Sequence, residues 1–289
     1  MGMFIIAAIV GIGVGILSGL LGIGGGTIMV PLFRLVFGMD AIVATATSLF
    51  TIVPTSISGM SKHVRNKTSV VKIGIICGLF GACASPLGVL VANSSPAWLI
   101  MAVAAVIVAY SATTMLSKAL KKPKSDKSST SAQSDSRKEN AVQTTEQTIK
   151  DATENNTSGE AFHFSFTSFI ETALIGVFAG FMSGYVGVGG GFIMVPLFVS
   201  LLGVPMRLAS GTSLTAVCIL AIPGVVEQAL LGNINFAVGI AMAVGSIPGA
   251  MIGAELVKRI PERTLRIVFA CFLLVVAVIL VLNEMGVLA

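Results

Sequence analysis

The chain has 289 residues, of which 55% are hydrophobic and only 11% charged, with 18 basic against 13 acidic side chains. Its mean hydropathy is +0.96. That composition excludes an ordinary soluble domain, which needs a charged surface, and points to an all-α polytopic membrane protein. Continuous apolar runs such as 68–92 and 264–282 do not alternate as the strands of a membrane β-barrel do, and each is long enough to cross a hydrocarbon core of about 30 Å.

Taken in chain order, the first half offers apolar segments at about 3–21, 27–37, 41–60, 69–92 and 97–117. The opening segment has no basic n-region and runs straight into a glycine motif, so it reads as mature structure and not as a signal peptide. The segment 27–37 has eleven residues, about 16 Å as a helix, or half a bilayer. With the segment before it, it is expected to form a broken hairpin, either re-entrant or crossing in two pieces.

Residues 121–163 form a hydrophilic spacer rich in Ser, Thr, Lys, Glu, Asp, Gln and Asn, with seven basic and seven acidic side chains. Such a segment buries too little apolar surface to offset the entropy of ordering, so it is expected to be disordered. The net charge of +5 therefore resides in the membrane part. After the spacer come apolar segments at about 167–186, 192–202, 206–225, 235–256 and 264–283.

The two sets are copies. Residues 15–33 read GILSGLLGIGGGTIMVPLF and residues 180–198 read GFMSGYVGVGGGFIMVPLF, matching at 13 of 19 positions at an offset of 165 residues. The same offset pairs Gly11 with Gly176, Gly38 with Gly203, Ala44 with Ala209, Thr47-Ser48-Leu49 with Thr212-Ser213-Leu214, Gly59 with Gly224 and Pro96 with Pro261. The expected organisation is a first membrane repeat at 1–120, the spacer at 121–163 and a second membrane repeat at 164–289.

Loop charges orient the copies. The positive-inside rule places Lys62, Arg65, Lys67 and Lys72 in the cytoplasm, together with Lys118, the start of the spacer, Arg207 and the Lys258–Arg266 cluster. Yet 62–72 aligns with 227–237, which carries Glu227 and no basic residue. Equivalent loops then lie on opposite sides, the signature of an inverted repeat. Three full spans plus one hairpin per half give the odd parity that inversion needs, with 8–10 membrane segments in all. The chain is expected in the cell inner membrane, with the spacer cytoplasmic and both termini outside the cytoplasm.

Two constellations carry the functional expectation. Gly24, Gly25 and Gly26, and their copies Gly189, Gly190 and Gly191, break helix at the foot of a half-length helix. Free N–H groups at such a helix start, with the positive end of the helix dipole, make an anion site. In lipid, open backbone is tolerated only inside protein or beside a wet cavity. Duplicated breaks in apolar sequence are the pattern of transporter sites. The second constellation is Thr47 and Ser48 with Thr212 and Ser213, whose hydroxyls either donate to a small oxyanion or bond back to their own helix carbonyls. Gly11, Gly15 and Gly19, and Gly176, Gly180 and Gly184, recur every four residues and read as close-packing stripes.

Other residues have plainer readings. Cys77, Cys83, Cys218 and Cys271 lie in apolar runs without a C-x-x-C pair and read as packing residues. Two histidines, His63 and His163, are too few for a metal cluster or paired haems. Glu171 and Glu255 lie near segment ends without acidic counterparts, which suits snorkelling or capping better than a proton relay. Pro31, Pro54, Pro86, Pro196, Pro223 and Pro248 read as helix kinks.

At the motif G-I-G-G-G-T-I-M-V-P-L-F, its second copy and the two Thr-Ser pairs, the chain resembles the sulfite exporter TauE/SafE family. The resemblance covers both halves; the long spacer departs from it. It implies a permease for small anions, above all sulfur-containing ones such as sulfite and organosulfonates. It also implies a place near the pathway for Gly24–Gly26, Gly189–Gly191, Thr47, Ser48, Thr212 and Ser213. The expected mechanism is alternating access around a central site formed by both glycine hairpins; an anion channel, or a sensor or interaction protein acting through the spacer, is the alternative. No enzyme motif and no ATP motif is present. No cofactor, metal or nucleic-acid partner is expected. The partners are a small anionic substrate and the lipid bilayer, and the oligomeric state stays open.

Overall fold

A computed structural model describes residues 2–120 and 166–284, so the spacer lies outside the described residues. Among them there are ten helices and no strand. The first five are α1 (Gly2–Leu21), α2 (Gly26–Phe37), α3 (Ala41–Arg65), α4 (Val71–Asn93) and α5 (Ala97–Leu120). The second five are α6 (Phe166–Val186), α7 (Gly191–Ser200), α8 (Met206–Leu230), α9 (Phe236–Leu256) and α10 (Glu262–Glu284). Six of them, α3, α4, α5, α6, α8 and α9, contain stretches long and apolar enough to cross a membrane.

The helices follow from the apolar runs, and their ends follow from the glycines. α2 and α7 have 12 and 10 residues, so they span about 18 and 15 Å at 1.5 Å per residue. α2 is capped by left-handed Gly38 at φ 62°; α7 ends at Ser200 with Leu201 as its C-cap, and the matching left-handed Gly203, at φ 63°, follows. Beyond these glycines the amide of Met39 bonds Phe33 O at 3.2 Å, and the matched amide of Val204 bonds Phe198 O at 3.0 Å. Both bonds reach back six residues across the glycine turn, so the two helix exits are built alike. All six prolines named above sit inside helices: Pro31 in α2, Pro54 in α3, Pro86 in α4, Pro196 in α7, Pro223 in α8 and Pro248 in α9.

Packing exchanges elements between the halves. α1 lies along α9, and its counterpart α6 lies along α4; α3 meets α8 at the centre, and α5 meets α10. The glycine stripes make the first two contacts. A Cβ on Gly11, Gly15 or Gly19 would overlap the carbonyls of Met242, Ser246 or Ala250, while one on Gly176, Gly180 or Gly184 would overlap those of Cys77, Gly81 or Ser85. Small residues let the backbones touch where lipid supplies no hydrophobic drive between helices. Ile9, Leu79, Val106, Leu174 and Val244 face outward, an apolar rim suited to lipid.

The polar residues near segment ends are engaged. Glu255 pairs with Lys62 at 3.1 Å and Lys258 at 3.6 Å, and it accepts from Asn66 Nδ2 at 3.1 Å. His63 is fully buried. Its Nε2 lies 2.8 Å from Gly19 O of α1, and its Nδ1 lies 2.8 Å from Thr68 Oγ1. The position 165 residues on is Gln228, also buried, which accepts from Asn233 Nδ2 at 2.8 Å. The two corners are built alike from different side chains, so comparing identities alone does not reveal them.

Candidate functional site: the paired glycine tips

The loops entering α2 and α7 are near-copies in backbone angle. Gly22, Gly24 and Gly25 have φ of 75°, 76° and 87°; Gly187, Gly189 and Gly190 have 73°, 86° and 65°. L side chains rarely adopt such angles, so glycine is required at these positions. Gly25 and Gly190 are the N-caps, and neither helix has a side-chain cap. The amides of Ile28 and Met29 bond Gly25 O, and those of Ile193 and Met194 bond Gly190 O. The earlier amides of Gly26 and Thr27 find no backbone acceptor, nor does that of Phe192, while the amide of Gly191 turns onto Gly189 O at 2.7 Å. The orphan donors of a helix start are thus left open inside the protein.

The two tips touch. A Cβ on Gly26 would overlap the carbonyl of Val188, and one on Gly191 would come within 2.6 Å of Gly22 O. Ile52 of α3 fills the angle between them, and Val217 of α8, its match at offset 165, packs on Gly24. Gly26 and Gly191 therefore have a steric reason as well as any chemical one, since a Cβ on either would meet backbone of the other tip within 3 Å. Gly26 and Gly191 have ordinary helical angles and are glycine because the other tip is there.

The hydroxyl residues divide into two groups. Thr47 Oγ1 accepts from Asn235 N at 3.0 Å. Thr212 Oγ1 accepts from Val70 N at 2.9 Å and donates to Leu208 O at 2.7 Å. Asn235 and Val70 are the N-cap residues of α9 and α4, so each threonine holds the start of a helix in the other half. Ser213 Oγ is 2.6 Å from Gly22 O and 2.8 Å from Ser210 O, which ties α8 to the first tip. Its counterpart Ser48 is fully buried, and its Oγ has no partner.

Four further hydroxyls share that state, and the sequence reading assigned none of them. Ser18, Thr27, Ser85 and Ser183 are at most 1% exposed, and their oxygens are unpartnered; Ser85 lies in α4, where it packs on Gly184 and Gly224 and not on a tip. Ser18 and Ser183 are matched positions inside the repeated motif, so the signal was present but overshadowed by the glycines. Among the described residues, the buried polar set holds hydroxyls, His63 and Gln228 but no Asp, Glu, Lys or Arg. A ligand at the tips would meet N–H and O–H dipoles and no full charge.

Comparison with known proteins agrees with this architecture. The chain is 24% identical over 285 residues to "Probable membrane transporter protein YunE" of Bacillus subtilis, covering 94% of this chain and 95% of that one. It is 25% identical over 253 residues to "Probable membrane transporter protein YdhB" of the same organism, covering 87% and 89%. It is 24% identical over 289 residues to a protein named a probable membrane transporter in Methanocaldococcus jannaschii, covering 95% and 94%. No solved structure gives a significant match. The profile of the sulfite exporter TauE/SafE family matches residues 7–280. The chain belongs to the sulfite exporter TauE/SafE family and is a multi-pass membrane transporter, not an enzyme.

Proposed function

We propose that this transporter is a secondary permease for small anions, with sulfur-containing oxyanions such as sulfite and organosulfonates as the leading substrates. The observation that carries this reading is the pair of uncapped helix starts, α2 and α7, meeting at buried glycine loops with open amides. Helix starts favour anions through their free N–H groups and the helix dipole. The lack of a buried cation among the described residues favours a ligand that binds through dipoles and leaves again.

We further read the two halves, 1–120 and 164–289, as an inverted pair joined by a cytoplasmic spacer at 121–163, in the cell inner membrane, with both termini outside. Supporting this are the loop charges and the exchange of packing partners between halves. In this reading Gly24–Gly26 and Gly189–Gly191 form the pathway backbone. Thr47 and Thr212 hold its walls, Ser213 ties α8 to the first tip, and Ser48 is its unpartnered counterpart in α3. Alternating access is movement of one half against the other around them.

Uptake into proteoliposomes tests the reading, with sulfite, methanesulfonate, acetate and a cationic control, under imposed proton and sodium gradients. Saturable flux of at least one anion is expected. Absence of flux for every anion, with correctly inserted protein, would sink it.

A further inference from the structure

The expected shared site between two facing tips conflicts with their direct contact, since Gly26 packs on the Val188 carbonyl and Gly191 on Gly22. Space for a ligand has to be sought on the flank of each tip that faces its own half. There the flank of Gly25 is closed by Met29 Cε, Val14 Cγ1 and Ser18 Cβ, at 3.2, 3.3 and 3.5 Å from where a Cβ would stand, so a ligand enters only if a side chain yields. Beside Gly190 the neighbours of a prospective Cβ are Ala179 O at 2.9 Å and, matching Ser18, Ser183 Cβ at 3.4 Å.

Serines and threonines inside these helices normally bond back four residues, as Thr51, Thr55, Ser56 and Ser61 do. Ser18 and Ser183 do not; their hydroxyls are buried and unpartnered, and their Cβ atoms stand beside the N-caps of α2 and α7. An unpartnered buried hydroxyl is costly and calls for an explanation. The same absence at both matched positions is explained by a ligand that supplies the acceptor.

We propose that Ser18 and Ser183 are ligand-binding residues, and that each glycine tip carries its own anion subsite, the two of unequal strength. This rests on the anion-permease reading. The first tip offers four donors: the hydroxyls of Ser18 and Thr27 and the amides of Gly26 and Thr27. The second replaces Thr27 by Phe192, whose amide is left with the Ser183 hydroxyl. Four donors match a three-oxygen head such as sulfite or a sulfonate; two match a carboxylate or a transiently held oxyanion. Met29, whose flexible thioether end lies against the Gly25 flank, is the side chain that moves to admit the ligand.

Isothermal titration of the full chain in detergent micelles tests this with sulfite, methanesulfonate and acetate. Two anions per chain are expected, with the sulfur oxyanions preferred at the tighter site. Ser18→Ala combined with Thr27→Val should weaken that site about a hundredfold, since each lost hydrogen bond to a charged ligand is worth roughly tenfold or more. Ser183→Ala should weaken only the second site, about tenfold on the same scale. Ser18→Ala and Ser183→Ala remove unsatisfied groups, so their ligand-free melting temperatures should equal or exceed that of the wild type. Binding of one anion per chain, or unchanged affinity in the Ser18/Thr27 variant, overturns the two-subsite inference and leaves the permease reading standing. Failure of all three anions to bind the wild type overturns both.

Discussion

Three glycine-to-alanine substitutions separate the reasons for which this chain uses glycine. Gly13 lies in α1 with nothing within 4 Å of a prospective Cβ. Alanine there should stabilise by about 0.5–1 kcal/mol through helix propensity alone. Gly38 also has open space but a φ of 62°, so alanine there should destabilise by about 1–2 kcal/mol from backbone strain. Gly26 has an ordinary helical angle, and propensity alone would make alanine favourable. Its Cβ, however, would overlap the Val188 carbonyl and stand 2.6 Å from Ile52 Cδ1. Overpacking costs about 1–3 kcal/mol, and an obstructing backbone carbonyl cannot swing aside as a side chain does, which puts the effect near the upper end. Subtracting the propensity gain leaves a net loss of about 2 kcal/mol for Gly26→Ala. Unfolding by SDS titration and by heat in detergent would rank the three against wild type. If Gly26→Ala proved as stable as Gly13→Ala, the tips would not be in contact and the steric account of the triplet would fail.

Other outcomes follow from single contacts. Gly25→Val and Gly190→Val place a β-branched side chain at positive φ in the tips and should abolish anion flux while inserted protein persists; normal flux in both would reduce these glycines to packing. Thr212→Val should speed hydrogen exchange at the Val70 amide, and Thr47→Val at the Asn235 amide, because each loses its only recorded acceptor; unchanged exchange at both would contradict the pinning role. His63→Ala strands the Gly19 contact and should destabilise by about 2 kcal/mol, the scale of an unsatisfied buried group. His63→Gln, copying Gln228, should recover part of that loss in the same melting assay. Glu255→Gln breaks a solvent-screened ion pair and should leave the melting temperature close to that of wild type; a clear drop would mean the pair is enclosed.

Much was legible in the chain. Apolar run lengths marked the helices, because a bilayer sets a minimum length and demands internally paired backbone. The four-residue glycine rows were legible as contacts, since that spacing puts small residues on one helix face. Glycine pairs 165 residues apart, such as Gly38 and Gly203, turned out to share left-handed backbone at φ 62° and 63° in the turns that follow the half-length helices. The partners of those features were not legible. Nothing in the linear order says that Gly15 meets Ser246, or that Gly26 is glycine because of Val188. The Thr-Ser pairs looked uniform, yet Thr47, Thr212 and Ser213 have partners and Ser48 has none.

The duplicated motif therefore determined by itself that the membrane fold contains two broken half-length helices led by glycine. Positive φ and helix interruption are local properties of glycine and need no partner. Only the tertiary structure decided that the two tips lie against one another and that Ser18 and Ser183 stand beside them with open hydroxyls. Hydrogen-bond satisfaction and backbone contact are properties of pairs, and the members of these pairs come from distant parts of the chain.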